Sequence, residues 1–564
     1  MAKTGPRTGG QVLVDQLVIH GADMAFCVPG ESYLEVLDAL HDVRDRIRLV
    51  NARQEAGAAN MAEAYGKLTG RPGICLVTRG PGACQAAVGV HTAMQDSTPM
   101  ILLVGQIARE TTDRESFQEI DYRQMFGPVA KWAAQIDQAE RVPEYMARAF
   151  HVATSGRPGP VVLALPEDML TDRVDVRDAE PYQAIQPSPS AQEIDRVRQL
   201  LEKAERPLLM VGGSRWSEAA CADMLAFAEA WNLPATASFR RMDLLDNRSR
   251  VYAGDFGTSP VPSLPKRIKE ADLLLVVGAR LGDITTQAYT TLEPPQPKPV
   301  LIHVYPDADE LGRVYRPAFG IAAGPVAFAS AVASLKPKTA PRWGAWTETL
   351  RKEYVANLEP SPYNGALDMG RAMASLREVL PKDAIVTLDA GNHTGWPMRY
   401  LSFGRPGRLV GPTSGAMAYS VPAAVAASLV HRDRVVIGCV GDGGFQMSGQ
   451  EFSTAVQHGG APIILVFNNR SYGTIRMHQE REHPDRVVGT ELVNPDFAAM
   501  ARAMGGHGET VTRTDEFMPA FERARASGKA ALLELRTDTD LLTTRMTITA
   551  LHEATKRAKQ KAPA

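Results

Sequence analysis

Cysteine is scarce: Cys27, Cys75, Cys84, Cys221 and Cys439 are the only five in 564 residues. They are odd in number, scattered, and never spaced Cys-x-x-Cys. That argues against a disulfide framework or a zinc site and for reduced thiols in the cytoplasm. No run of 18 apolar residues occurs, so no transmembrane helix and no membrane role are expected. Met1–Arg7 lacks the apolar core of a secretory leader, which points to the same compartment. A net charge of −2 leaves no basic footprint for nucleic acid. What remains is an ordinary globular composition, 44% hydrophobic and 22% charged, in a chain too long for one core. Three or four domains are expected.

The most informative stretch is Gly441-Asp442-Gly443-Gly444, followed 27 positions after Asp442 by Asn469 of Asn468-Asn469. The apolar run Val435, Val436, Ile437, Val440 reads as a buried parallel strand entering the Gly-Asp-Gly. The glycines allow close approach of the backbone to a ligand. A helix is predicted from Ser448 to His458, then a second buried strand over 462–467, closed by Asn468-Asn469. Two strand ends thus offer a carboxylate and an amide oxygen to one crevice, hard ligands suited to Mg²⁺ on a diphosphate. A lone Gly-Asp-Gly would mean little, and an ordinary βαβ unit is the plainer reading. A second feature is Glu55, which opens a small-residue helix running to about Leu68. Alone it is a first-turn glutamate favoured by the helix dipole.

The whole order, strand, Gly-Asp-Gly, helix, strand, Asn-Asn, resembles the thiamine diphosphate (ThDP) fingerprint of the ThDP-dependent 2-oxo acid decarboxylases and carboligases. The resemblance places Gly441, Asp442, Gly443, Gly444, Asn469, Ser471, Tyr472 and Gly473 around the diphosphate, with Asp442, Asn469 and Ser471 on Mg²⁺. It puts Glu55 at the glutamate that hydrogen-bonds the aminopyrimidine. It puts Met417 under the thiazolium and the Gly415 carbonyl on the amino group. Asp389-Ala-Gly391-Asn392-His393 resembles a second diphosphate-side loop, where His393 is either a cofactor contact or a structural histidine. In this family one subunit supplies the glutamate and another the diphosphate motif. A homodimer is then the minimum, a tetramer is plausible, and the active sites are shared.

Two stretches look like copies of one architecture. Residues 73–105 and 434–467 each run strand, Gly-rich turn, helix, proline, strand, with 17 positions from Gly82 to Pro99 and 18 from Gly444 to Pro462. Any two βαβ units look somewhat alike, but the family pairs a pyrimidine-binding with a diphosphate-binding domain. Proline-rich breaks at 181–190 and 336–341 mark linkers. Between them, apolar runs at 207–213, 271–278 and 300–304 suggest a Rossmann-like middle domain. The fold class is therefore α/β, with three Rossmann-like or flavodoxin-like parallel-sheet domains. Their expected bounds are 1–185 (pyrimidine-binding), 190–336 (middle) and 363–545 (diphosphate-binding), with a basic tail over 546–564.

Phe117-Gln118-Glu119 resembles the segment of acetolactate synthases where Phe117 and Gln118 would face a small 2-oxo acid substrate. Cys27-Val-Pro-Gly30 resembles the loop whose glycine, here Gly30, lies over the thiazolium. Without the cofactor motifs both would read as turn chemistry. His478 stands where biosynthetic acetolactate synthases carry a tryptophan; it either lines the acceptor pocket or packs its helix. Arg280–Asp283 and Asp255–Thr258 do not match flavin-binding segments, which counts against FAD. The end of the chain (Arg545, then Lys556, Arg557, Lys559, Lys561) is similar to that of oxalyl-CoA decarboxylases and 2-hydroxyacyl-CoA lyases, the alternative reading. A solvated, frayed terminus is the plainer one. A non-catalytic ThDP- or nucleotide-binding subunit is the remaining class. Glu55, Asp442 and Asn469 all being in place counts against it.

Overall fold

A computed structural model describes residues 5–561. Met1–Thr4 and the side chains of Lys559 and Lys561 lie outside the described residues. The chain divides into two compact units: one reaches Gln186 and adds Val425–Val430, and the other holds Pro187–Ala424 and the chain from His431 on. No helix among the described residues is long and apolar enough to cross a membrane.

Three six-stranded sheets carry the fold, all with parallel pairing. The first unit's sheet is built from Met24–Cys27, Arg48–Asn51, Gly73–Val77, Met100–Gln106, Trp132–Gln135 and Pro160–Pro166. Counted in chain order, these strands lie side by side as 2-1-3-4-6-5. The last sheet is built from Ile385–Leu388, Leu409–Val410, Val436–Gly441, Ile463–Asn468, His507–Val511 and Ala531–Arg536, and its order is the same, 2-1-3-4-6-5. The two stretches compared in the sequence are strands three and four of both sheets, so the repeat extends to topology. Gly73–Val77, Met100–Gln106 and Ile463–Asn468 are buried at every position. Helices cover both faces of such a sheet, so these strands read as continuous apolar runs.

The middle sheet has the order 3-2-1-4-5-6 of a dinucleotide-type fold. Its central strands, Pro207–Val211, Leu273–Val277 and Val300–Tyr305, coincide with the apolar runs of the sequence. Ala235–Ser238, Tyr252–Phe256 and Phe319–Ala322 are strands that no apolar run announces, because Ala, Gly, Ser and Asp interrupt them. The middle and last sheets share one unit and one apolar core. Polar ties join them as well: Phe403 N donates to Asn247 Oδ1 at 2.9 Å, and Arg240 reaches the Asp389 carbonyl at 2.6 Å.

Two local expectations need correction. The helix after Gly441 starts at once, over Asp442–Ser448, and a second runs Glu451–His458. The glycines are thus the first turn of a helix, not a loop before one. The end of the chain does not fray at residue 546. Ile548–Lys561 is a helix whose Ile548 and Leu551 cluster with Leu542 and Met477. Its His552 Nδ1 lies 2.8 Å from Glu480 and its Lys556 pairs with Asp485 at 3.2 Å.

In the first unit, His20 is buried against Phe150, and its Nδ1 accepts the Tyr182 backbone N–H at 3.1 Å. Burial pulls its pKa down to about 4, so it is neutral in the fold. The unfolded chain protonates near 6.5, so it holds more protons between those values. Stability is then intact above about 6.5 and falls as pH drops toward 4. Thermal midpoints across that window should fall less steeply in His20→Gln, whose amide oxygen can accept the same N–H. Equal slopes would contradict this.

Candidate active site

In parallel sheets of this order, ligands bind beyond the strand C-termini, where chain connections diverge to either side. In the last sheet that point lies between strands one and three, Ile385–Leu388 and Val436–Gly441. Asp389-Ala390-Gly391-Asn392 leaves the first and Gly441-Asp442 the second. Asp442 is 2% exposed. Its Oδ1 accepts the Gly443 N–H at 3.0 Å, and its Oδ2 accepts Asn494 Nδ2 at 2.7 Å. Burial raises its pKa; Asn494 and the backbone N–H groups of Gly443, Arg470 and Ser471 act the other way.

Asn469 and Ser471 follow the adjacent strand. Asn469 Oδ1 accepts the Ser471 N–H at 3.1 Å. Ser471 is buried, and its hydroxyl has no hydrogen-bond partner. Tyr472 lies over Gly443, where a Cβ would come within 2.6 Å of its ring. A Cβ on Gly473 would come within 2.9 Å of Asn469 Nδ2. Asn392 is fixed from the same side: its N–H donates to Thr474 Oγ1 at 3.0 Å, and that hydroxyl donates to Asn392 Oδ1 at 3.1 Å.

Asp389 ties two loops of this edge together. It is fully buried, and its carboxylate accepts the N–H groups of Ala390 (2.9 Å), Ala418 (3.2 Å) and Tyr419 (3.3 Å). Burial pushes its pKa up to about 6 against those donors. One residue therefore ties the Gly391–His393 loop to the Gly415–Met417 loop, where Gly415 and Ala418 both have positive φ. Gly444 is glycine because a Cβ there would lie 2.3 Å from Asp389 Oδ2. His393 packs its ring on Phe467 at 5.5 Å between centroids, and Cβ atoms on Gly391 and Gly441 would crowd it at 2.9 and 3.2 Å. Burial and the Arg240 charge depress its pKa to about 3, so it carries no positive charge near neutrality. His478 is exposed on the helix Gly473–Glu482, with its Nδ1 hydrogen-bonded to Arg481.

The first unit repeats this geometry with other residues. Gly30 follows its strand one and Thr78–Gly82 its strand three; a Cβ on Gly30 would lie 2.5 Å from Thr78 Cβ. Glu55 is the first residue of the helix Glu55–Thr69, with Oε1 3.4 Å from where a Cβ on Gly82 would be. Gln118 has φ 67° and packs its Cβ on Gly80; its Oε1 is buried without a partner. Arg79, also buried, donates to the Phe117 carbonyl at 3.1 Å and to Glu167 at 3.3 Å. Glu119 caps the loop by accepting the N–H groups of Asp113 and Ser116. Phe117 is left 73% exposed on it. Gly30, Glu55 and Gln118 thus approach one turn, Thr78–Gly82.

The residues present fit ThDP and a hard divalent cation. Ser471 Oγ is a buried polar atom with no partner, next in line to Asp442 and Asn469. Those donors are one carboxylate, one amide and one hydroxyl, a set that leaves room for phosphate oxygens on Mg²⁺. Sequence reasoning missed Asn494 and Glu534 and passed over Asp389 as a site residue. Asn494-Pro495 is the turn before the helix Phe497–Ala503 and gives no sign that it returns over Arg470–Tyr472.

Residues 7–125, 194–332 and 389–535 match the N-terminal TPP binding, central, and C-terminal TPP binding domains of thiamine pyrophosphate enzymes. The acetolactate synthase large subunit of Parasynechococcus marenigrum is 31% identical over 90% of this chain and 83% of its own length. The acetolactate synthase isozyme 2 large subunit of Escherichia coli is 30% identical over 94% of this chain and 95% of its own. The mitochondrial acetolactate synthase catalytic subunit of Saccharomyces cerevisiae is 27% identical over 94% and 81%. Three parallel sheets and these matches together place the chain in the ThDP-dependent decarboxylase and carboligase family, as an acetolactate synthase-like member.

Proposed function

We propose that the enzyme decarboxylates a small 2-oxo acid and joins the remaining fragment to a second carbonyl compound, with ThDP held through Mg²⁺. The observation that carries this reading is the buried, partnerless Ser471 hydroxyl beside Asp442 and Asn469, at the edge where Asp389 has drawn the cofactor loops together. When bound, ThDP supplies the nucleophile and the electron sink for loss of CO₂. Asp442, Asn469 and Ser471 would hold Mg²⁺ against its diphosphate, with the Gly443 and Gly444 backbone alongside. Gly391 and Asn392 would face the same diphosphate. Met417 would pack against the thiazolium ring, and the Gly415 carbonyl would accept a hydrogen bond from the amino group of the pyrimidine. Glu55 would share a proton with the pyrimidine nitrogen. Gly30, Phe117, Gln118 and His478 would surround the substrates. Two subunits at least would be needed, one giving the Glu55 edge and another the Asp442 edge.

The reading includes no flavin. In the middle sheet, the loops after strands one and four close on each other: a Cβ on Gly213 would lie 1.8 Å from the Gly278 carbonyl, and Trp216 Nε1 donates to the Gly212 carbonyl at 2.7 Å. A Cβ on Gly278 would in turn lie 2.6 Å from the Gly212 carbonyl.

Purified protein with ThDP and Mg²⁺ should release CO₂ from pyruvate-type 2-oxo acids and form a 2-hydroxy-3-oxo acid, and it should show no flavin bands. Release of a formyl-CoA or an aldehyde from CoA thioesters, with no reaction of 2-oxo acids, would overturn the reading in favour of the lyase alternative. Glu55→Gln should bind ThDP normally and lose at least a hundredfold in turnover, the usual order for a lost proton-transfer group. Normal proton exchange at the cofactor's reactive carbon in that variant would remove Glu55 from the mechanism.

His478→Trp tests the acceptor pocket. One methylene in an apolar pocket is worth about 1–3 kcal/mol. The variant should therefore favour 2-oxobutanoate over pyruvate as acceptor by up to about tenfold relative to the parent. An unchanged product ratio at full ThDP occupancy would return His478 to the helix surface.

A further inference from the structure

Glu534 is a carboxylate buried in the middle of a strand, 1% exposed, and the chemistry above does not use it. Its partners show what it does. Its Oε1 accepts Asn468 Nδ2 at 2.7 Å and Arg536 Nε at 3.2 Å, and its Oε2 accepts Thr510 Oγ1 at 2.9 Å. A carboxylate can only accept, so Asn468 must turn its NH₂ toward Glu534 and its oxygen away. That oxygen accepts Asn494 Nδ2 at 2.8 Å, and the same NH₂ donates to Asp442 Oδ2 at 2.7 Å. The Asn494 oxygen is held by Gln446 Nε2 at 2.7 Å. Every amide orientation between the two carboxylates is thereby determined. Flipping Asn468 would set oxygen against carboxylate at one end and NH₂ against NH₂ at the other. Both hydrogens of the Asn494 amide are used, one on each neighbour.

The backbone brings Asn494 to this place by a separate device. Ser471 and Glu491 form an antiparallel bridge, Tyr472 N donates to the Thr490 carbonyl at 2.8 Å, and Leu492 N to the Arg470 carbonyl at 2.9 Å. The chain therefore returns across the residues after Asn469 and delivers position 494 to the carboxylate of position 442.

We propose that Asn494 is a positioning residue of the metal site, and that Glu534 acts through Asn468 to fix its orientation. Asn494 holds Asp442 Oδ2, which would leave the remaining lone pairs of the carboxylate for the cation. An aspartate at 494 would instead set two carboxylates within hydrogen-bond distance. This inference rests on the reading of Asp442 as a metal ligand.

The test is calorimetric titration of Mg²⁺ into the full-length protein at saturating ThDP, with thermal midpoints of the metal-free protein beside it. Outer-sphere partners of metal ligands are worth roughly 10–100-fold in affinity. Asn494→Ala should weaken Mg²⁺ by at least about tenfold in protein that is still folded at the titration temperature, which the metal-free midpoint checks. Asn494→Ser, whose hydroxyl is too short to span both oxygens, should do the same. Glu534→Gln, which still accepts from Asn468, should keep most of the affinity. Unchanged affinity in both Asn494 variants, with loss in Asp442→Ala, would overturn the relay alone. Unchanged affinity in Asp442→Ala would overturn the metal assignment, and the relay with it.

Discussion

A carboxylate buried at the end of a parallel strand is costly unless its oxygens meet donors. The last sheet carries three buried carboxylates, two just beyond strand ends and one inside a strand, and the site is shaped around them. Asp389 collects three backbone N–H groups and thereby sets two loops. Asp442 collects one N–H from its own helix and one amide hydrogen from Asn494. Glu534 collects Asn468, Thr510 and Arg536. Gly444 follows from the first of these, because Asp389 occupies the space a side chain would need. Burial raises the pKa of the Asp442 carboxyl, and a divalent cation beside it would act the other way.

The same sheet order occurs in the first unit, with a different division of labour. There the turn after strand three carries Arg79, Gly80 and Gly82 in place of Asp442, Gly443 and Gly444, and the helix beside it begins with Glu55. Gly30 lies against Thr78 much as Gly444 lies against Asp389. Both edges keep glycines where two loops touch across the strand-one and strand-three ends. One edge offers the carboxylate, amide and hydroxyl that the proposed reading assigns to a cation and a diphosphate. The other presents a carboxyl, a glutamine oxygen and an exposed aromatic ring.

Much of this was legible in the sequence. Fully buried parallel strands appear as unbroken apolar runs, so Gly73–Val77, Met100–Gln106, Val436–Gly441 and Ile463–Asn468 stood out. Asp442 and Asn469 stand out because glycines and strand ends mark them, whereas Glu55, alone an ordinary first-turn glutamate, stands out only through the family resemblance. The three middle-sheet strands rich in Ala, Gly and Asp did not, since their burial depends on neighbours distant in sequence. The helix starting at Asp442 was misplaced because two glycines suggest a loop, whereas here close packing by Tyr472 and Asp389 requires them. Asn494 was invisible for a different reason: its role comes from a short antiparallel return over Arg470–Tyr472, and pairing of that kind leaves no local pattern. The terminal helix reads as a tail in the sequence because its apolar contacts, Ile548 and Leu551 on Met477, are few among many charges.

The central claim is that one divalent cation is shared between Asp442 and the diphosphate of ThDP. Mn²⁺ in place of Mg²⁺ makes that junction visible by pulsed electron paramagnetic resonance. The account predicts phosphorus-31 couplings in the Mn²⁺ signal of the ThDP-loaded protein, and their loss in Asp442→Ala. Bound Mn²⁺ with no phosphorus coupling, or the same coupling in Asp442→Ala, would contradict it.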